Sequence, residues 1–149
     1  MYLGIDPGVT GAFALMEKDQ TIPYRSNFDD IQTCIHTLRD YQTSYGIELA
    51  AIEDVHSSPQ MGVKSSFTFG KNYGEWLGAL HALAIPHVLV TPRKWQKALF
   101  DKESTDSIAF CGRTFPQIAW KKNHNITDAV CLALYAKKWV EGLLHGEKS

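Results

Sequence analysis

Residues 3–15 read LGIDPGVTGAFAL, and this stretch decides the fold. Leu3 and Ile5 favour a β-strand, and a second apolar run begins at Ala12. A Gly-rich turn, DPGVTG, separates the two runs, so the stretch predicts a β-hairpin. Asp6 stands where the first strand meets the turn. It either caps the turn or ends a buried strand, where an isolated carboxylate needs a cation as its partner.

Composition narrows the class of protein. A chain of 149 residues predicts a single domain spanning 1–149, and 44% hydrophobic with 21% charged residues is typical of a globular protein. No apolar run approaches the roughly 20 residues of a membrane span, and no signal peptide is evident. The cysteines Cys34, Cys111 and Cys131 fit neither a disulfide framework nor a zinc site, which indicates a reducing, cytoplasmic setting. The net charge of −1 is unusual for a nucleic-acid-binding protein, although clustered carboxylates can mask a basic rim.

Periodicity predicts the order of the remaining elements. The pattern indicates a third strand at 21–25, a helix over 28–45, a buried strand at 47–55, a helix from Phe69, a buried strand at 85–90, a helix after Thr91-Pro92, a short helix over 105–113 and a long helix over 127–144. Ser26 or Asn27 would cap the first helix, with Asp29 and Asp30 in its first turn. Residues 56–68 and 145–149 are expected to be flexible and frayed, respectively. This order predicts an α/β fold with a mixed five-stranded sheet flanked by helices.

Small residues form a stripe along the helix that follows Phe69. Its members are Gly70, Gly74, Gly78 and Ala82. Because glycine weakens a helix, the stripe predicts the close approach of another element. That element is either the chain's own sheet or a second subunit.

Acidic residues occur at the ends of predicted elements. Asp6 ends the first strand, Glu53 lies late in a buried strand, and Asp128 is expected to begin the last helix. Such positions meet at one edge of an α/β sheet. Carboxylate oxygens suit Mg²⁺ or Mn²⁺, and a pair of such ions can promote phosphodiester hydrolysis. Each residue also has a plain structural alternative: Glu53 could pair with a lysine, and Asp128 could belong to a helix cap.

Other catalytic signatures are absent from the sequence. There is no GxxxxGK, no GxGxxG, no HExxH and no serine or cysteine nucleophile motif. Metal-assisted hydrolysis without a nucleotide cofactor is therefore the simplest chemistry.

Four motifs now carry a resemblance. The hairpin phrase, AAIEDVH at 50–56, TPRKWQKAL at 91–99 and HNITDAVCLALYA at 124–136 resemble, in order, the RuvC-type Holliday junction resolvases, and most closely their phage-encoded branch. The resemblance spans nearly the whole chain. It implies an RNase H-like fold, a homodimer, dependence on Mg²⁺ with two ions per site, and paired nicking of four-way DNA junctions. For a phage protein it also implies the host cytoplasm and a role in DNA recombination, replication or packaging.

The resemblance also assigns site residues. Asp6, Glu53 and Asp128 match the family's acidic metal ligands. The family has a further acidic residue three positions before the last ligand, where this chain has Asn125. We expect Asn125 to contribute as a weaker oxygen ligand or an outer hydrogen-bonding partner. Its neighbour His124 could replace the missing ligand, since Mn²⁺ accepts an imidazole nitrogen more readily than Mg²⁺ does. His124 is also a candidate proton shuttle, because an imidazole exchanges protons near neutral pH.

A DNA-binding surface is expected around the site. Its candidates are the basic residues Lys64, Lys71, Arg93, Lys94 and Lys97 and the aromatic residues Phe67 and Phe69. Basic side chains bind phosphates without reading sequence. In the resembled family an aromatic residue near this point contacts bases at the crossover. Phe69 also fits the apolar face of its helix, so Phe67 is the better candidate.

The sequence suggests three alternatives, of which its length excludes the first. The hairpin phrase also resembles the phosphate loop of sugar kinases and actin-like ATPases, but those proteins need two related domains, which 149 residues cannot hold. A module that binds branched DNA without cutting it is a second possibility. The third is a nuclease for flaps, Y-forks or RNA–DNA hybrids.

Overall fold

The computed structural model describes residues 1–28 and 30–144. Its strands are β1 (Tyr2–Asp6), β2 (Ala12–Met16), β3 (Tyr24–Asn27), β4 (Leu49–Glu53) and β5 (His87–Val90). Its helices are α1 (Ile31–Tyr45), α2 (Val63–Ala82), α3 (Pro92–Leu99), α4 (Ser107–Thr114) and α5 (His124–Val140). The strands form one sheet in the order β3-β2-β1-β4-β5. The predicted α/β fold with a mixed five-stranded sheet flanked by helices is confirmed.

The sheet combines an antiparallel half with a parallel half. The predicted hairpin is present, since β1 pairs antiparallel with β2, and β2 pairs in the same sense with β3. β4 runs parallel to β1 and β5 runs parallel to β4. β1 therefore lies in the centre of the sheet, and its carboxyl end meets those of β4 and β5 at one edge.

Each face of the sheet carries its own core. Leu3 and Ile5 of β1 pack in the cluster that includes residues of α1 and α2. Tyr2, which points to the opposite face, packs in the cluster that includes residues of α3, α4 and α5. The alternation of a strand thus places Gly4 and Asp6 on the α5 face together with Tyr2.

Gly4 allows α5 to lie directly on β1. A Cβ atom built at Gly4 would stand 1.9 Å from the Ala129 carbonyl oxygen and 2.3 Å from the Ala133 nitrogen. Both are backbone atoms of the helix, so no side chain can move aside to make room. Glycine inside a strand is the sequence signature of such a close approach.

The first helix starts later than predicted. β3 occupies 24–27 rather than 21–25, because Asn27 pairs with Ala12 in the ladder. The predicted caps Ser26 and Asn27 are therefore strand residues, and Asp30 caps α1 by accepting a hydrogen bond from the Thr33 amide. The prediction for Asp29 lies outside the described residues, while the predicted end of the helix at residue 45 is confirmed.

The second helix starts earlier than predicted. α2 begins at Val63, six residues before Phe69, so the predicted flexible stretch is half helix. Most side chains at 63–68 are exposed, and they therefore give no apolar periodicity. The small-residue stripe is exposed along its whole length, and Cβ atoms built at its glycines meet nothing within 4 Å. Packing of the stripe against the chain's own sheet is thus excluded.

The last helix also begins before its predicted start. α5 starts at His124 rather than Thr127, because the Asn123 side chain caps it by accepting from the amides of Asn125 and Ile126. Asp128 consequently lies in the second turn of α5 and does not begin it. The helix ends at Val140, and residues 145–149 lie outside the described residues. None of the described helices is long and apolar enough to cross a membrane.

Candidate active site

Three carboxylates approach each other between the sheet and α5. Ile5 pairs with Ile52 across the parallel strands β1 and β4, so Asp6 and Glu53 follow side by side at their carboxyl ends. Both lie on the face that α5 covers, and Asp128 projects from the second turn of that helix. The structure thus brings together the three acidic residues that the sequence singled out.

Burial and mutual repulsion disfavour the ionised forms of these groups. Asp6 is 8% exposed, and its burial, followed by the charges of Glu53 and Asp128, raises its pKa to about 8. The pKa of Glu53 is raised chiefly by burial, with a contribution from Asp128. Burial likewise raises the pKa of Asp128. A bound cation would therefore stabilise the ionised forms of all three carboxyl groups.

Two neighbouring donors hold these carboxylates in place. Trp95 of α3 is buried, and its Nε1 donates a hydrogen bond of 2.8 Å to Glu53 Oε2. Ser107, at the start of α4, lowers the pKa of Asp128 by a hydrogen bond and lies 2.7 Å from the Thr127 hydroxyl. Sequence reasoning missed both residues, as well as Gly4. A lone glycine inside a strand was an available signal, but nothing in the pattern marked Ser107.

The donor set suits a hard divalent cation. Asp6, Glu53 and Asp128 offer only oxygen atoms, as Mg²⁺ and Mn²⁺ prefer. Within 1–28 and 30–144, no three His, Cys, Asp or Glu side chains close around a single point. The three carboxylates are close enough to repel one another, and this repulsion is what a bound cation would cancel.

His124 and Asn125 belong to the first turn of α5, not to a loop before it. His124 is exposed and lies four residues before Asp128, where its charge lowers the pKa of that carboxyl. Asn125 Nδ2 donates a hydrogen bond of 2.7 Å to the Thr10 carbonyl in the β1–β2 turn. The amide of Asn125 therefore ties the start of α5 to the turn that follows Asp6.

The predicted DNA-binding residues lie on two helices. On α2, Lys64, Phe67 and Lys71 are exposed, with Phe67 at 75%, while Phe69 is half-buried beside Gly8 of the hairpin turn. On α3, Arg93, Lys94 and Lys97 are exposed, and Lys94 Nζ lies 5.6 Å from the centre of the Trp139 ring. Both helices begin near the carboxyl edge of the sheet, because α2 follows β4 and α3 follows β5.

The fold is similar to those of solved Holliday junction resolvases. The chain is similar to Thermus thermophilus RuvC solved with a Holliday junction substrate, with a TM-score of 0.68 and 15% identity over 95% of this chain and 96% of that one. A second structure of T. thermophilus RuvC gives a TM-score of 0.63 at 18% identity, covering 95% and 96% of the two chains. The fowlpox virus resolvase, solved with its substrate Holliday junction DNA, gives 0.58 at 15% identity, covering 96% and 100%. No protein-family model and no curated protein sequence matches the chain.

Proposed function

We propose that this chain is a metal-dependent endonuclease that resolves four-way DNA junctions by paired nicks, a crossover junction endodeoxyribonuclease. The observation that carries the proposal is the approach of Asp6, Glu53 and Asp128 at one edge of the sheet. Two of the similar structures were solved with Holliday junction DNA, in agreement with this substrate. The likeness of the sequence motifs to phage-encoded resolvases extends the proposal to the recombination, replication or packaging of phage DNA.

Each residue of the site has a role in this proposal. Asp6, Glu53 and Asp128 would hold Mg²⁺ or Mn²⁺, with Asn125 as a weaker or outer partner. The chemistry supplied by such ions is Lewis-acid catalysis of phosphodiester hydrolysis. Trp95 and Ser107 orient Glu53 and Asp128 through hydrogen bonds, and His124 would move a proton in the reaction.

Cleavage of a synthetic four-way junction in Mg²⁺ tests the proposal. Asp6→Asn, Glu53→Gln and Asp128→Asn should each abolish nicking, because an amide is a poorer ligand for a hard cation. Junction binding should persist, since the loss of a negative charge does not weaken the attraction of phosphates. Asp40→Asn, an exposed carboxylate on α1, is the matched control and should cut like the wild type. Near-normal nicking by any of the three variants would remove that residue from the site.

A panel of substrates separates the alternatives. Flaps, Y-forks and RNA–DNA hybrids are incubated beside the junction under the same conditions. If one of these is cut in preference to the junction, it is the substrate instead, and the assignment of nuclease activity still holds. Tight junction binding without nicks in either Mg²⁺ or Mn²⁺ would instead indicate a non-catalytic binding module.

We also propose that the active form is a homodimer. Symmetric nicks in a junction of near two-fold symmetry need two sites related by a dyad. The exposed face of α2 supports a contact between copies: Val63 is 90% exposed and Phe67 75% exposed, in line with the glycine stripe. Sedimentation that finds only monomer, with and without junction DNA, would refute the dimer.

A further inference from the structure

A pocket of about 310 Å³ lies at the β3 edge of the sheet, beside the start of α5, whereas α3 follows β5 at the opposite edge. Arg25 of β3 forms one wall, and Trp120 and Lys121 of the segment before α5 form another. Asn123, Ile126 and Thr127 at the start of α5 complete the wall, and Thr127 directly precedes Asp128 in the chain. A pocket of this size reaches the lower end of the range that small ligands occupy. None of the DNA-binding residues predicted from sequence lies in it.

Arg25 is held over an aromatic ring in this pocket. Its guanidinium carbon lies 5.3 Å from the centre of the Trp120 ring. The ring is itself fixed, because Trp120 Nε1 donates a hydrogen bond of 3.1 Å to the Phe115 carbonyl. An arginine held in this way loses less side-chain freedom when it binds a phosphate.

The charged side chains that line the pocket, Arg25 and Lys121, are both basic. Residues 107–127 contain no Asp or Glu, and neither do residues 22–28 of the adjoining strand segment. Arg113 is neutralised by Asp101 and Glu103. Lys121 and Lys122 are exposed, and Lys121 lines the pocket together with Arg25. In a chain with a net charge of −1, this surface therefore attracts anions.

The pocket is joined directly to the candidate active site. Asn123 Nδ2 donates a hydrogen bond of 2.7 Å to Asn27 Oδ1, which fixes the start of α5 to β3. Asn27 Nδ2 in turn donates to the Thr10 and Gly11 carbonyls of the turn after Asp6. An anion in the pocket would thus lie within about two helical turns of Asp128 along α5.

We infer that this pocket binds a backbone phosphate of the DNA, with Arg25 and Lys121 as its contacts and Trp120 as the residue that positions Arg25. The identity of the ligand as DNA rests on the proposed function. We assign the contact to the DNA backbone because the cationic donors of the pocket, Arg25 and Lys121, bind phosphate oxygens. A strand held here and on the α2–α3 side would pass across the carboxylates between two basic surfaces.

The test measures junction affinity over a salt series in the absence of divalent cations. Arg25→Gln should weaken binding about tenfold, in line with the loss of one charge-assisted hydrogen bond. It should also reduce the slope of log K against log salt concentration by about 0.9, the value for one phosphate contact. Arg39→Gln, an exposed arginine on α1, is the matched control and should change neither quantity.

Trp120 is tested by its coupling to Arg25. Trp120→Leu should weaken binding about as much as Arg25→Gln, and the double variant should lose no more than Arg25→Gln alone. If Trp120→Leu does not fold, Trp120→Phe keeps the packing with a weaker cation–π contact and should show a smaller, equally non-additive loss. Additive losses would overturn the positioning role of Trp120.

Two results would overturn the pocket as a phosphate site. One is an Arg25→Gln protein that binds like Arg39→Gln, and the other is a loss of affinity with an unchanged salt slope. Junction cleavage by the wild type is measured in parallel with Mg²⁺. If the wild type cuts the junction and Arg25→Gln changes neither the affinity nor the salt slope, the pocket is not a phosphate site and the proposed function stands. If instead the wild type cuts no substrate but Arg25→Gln reduces the salt slope, the proposed nuclease activity is refuted. The phosphate site is then still supported.

Discussion

Trp95 Nε1 donates a hydrogen bond of 2.8 Å to Glu53 Oε2, which couples a buried ring of α3 to the carboxylate at the end of β4. This bond lowers the pKa of Glu53 against the effect of burial. It also fixes one carboxylate oxygen and leaves the other to a ligand. Such outer partners typically contribute about 10- to 100-fold to metal affinity.

Trp95→Phe should therefore raise the Mg²⁺ concentration needed for half-maximal cleavage by about tenfold or more. Junction binding without metal should stay unchanged, because the ring still fills its place in the core. The matched control is Trp76→Phe on the opposite face of the sheet, since Trp76 Nε1 has no hydrogen-bond partner among the described residues. An equal shift in both variants would assign the effect to packing.

The raised pKa of Asp6 makes stability depend on pH. Between the ordinary value of 3.8 and about 8, the unfolded chain releases a proton that the folded protein keeps. The folded protein without metal therefore loses stability as pH rises through this window, and the loss levels off above it. Each pKa unit corresponds to about 1.4 kcal/mol, so the total effect is on the order of a few kcal/mol.

Asp6→Asn removes this dependence. At pH 8 to 9 in EDTA, thermal unfolding should give a higher Tm for the variant than for the wild type. Added Mg²⁺ should raise the wild-type Tm and leave the variant nearly unaffected. Asp40→Asn, which is exposed, should follow the wild type in both conditions. A wild-type Tm that does not fall between pH 5 and 8 in EDTA would contradict the burial of an uncompensated carboxyl.

Gly4→Ala should destabilise the fold strongly. The added Cβ would meet two backbone atoms of α5 at 1.9 and 2.3 Å, so the helix must shift away from β1. Overpacking of this kind costs about 1–3 kcal/mol or more. Chemical denaturation measures the loss, and Gly112→Ala is the control, because a Cβ at that exposed position of α4 meets nothing within 4 Å. A Gly4→Ala protein as stable as the wild type would show that α5 can move freely.

Phe67→Ala should reduce junction cleavage more than it reduces binding to plain duplex. The side chain is 75% exposed, so its removal leaves the core intact. Stacking on an unpaired base contributes roughly 1–3 kcal/mol, which corresponds to a loss of about tenfold or more, and duplex DNA offers no such base. Tyr45→Ala, at 67% exposure on α1, controls for the loss of an exposed aromatic ring. Equal losses on both substrates would point to a role in packing or dimer formation.

His124→Ala should lower the cleavage rate by about 100-fold if the imidazole moves a proton in the reaction. Single-turnover rates in saturating Mg²⁺ measure the effect without a contribution from binding. His36→Ala, an exposed histidine of α1, serves as the control. A wild-type rate in His124→Ala across pH 6 to 9 would exclude His124 from the reaction.

The sequence predicted those parts of the site that depend on local pattern. Asp6, Glu53 and Asp128 stood out because charges at the ends of apolar runs are conspicuous. The start of α5 was predicted too late because residues 121–125, KKNHN, are uniformly polar. The first turn of the helix is stabilised by the Asn123 cap rather than by an apolar face. The partners of the carboxylates were out of reach, since Trp95 and Ser107 meet them only after the chain has folded.

The dependence of the site on α5 has a consequence for the order of events during synthesis. A ribosome releases Asp6 first, then Glu53, and Asp128 only after the whole sheet. Until α5 emerges, the face of β1 around Gly4 is bare and two of the three carboxylates stand alone. Contacts between segments so far apart in the sequence are also slow to form, because closing the long loop between them costs entropy. The nascent chain therefore lacks the complete cluster of carboxylates, and the step that closes its second core also brings the three together.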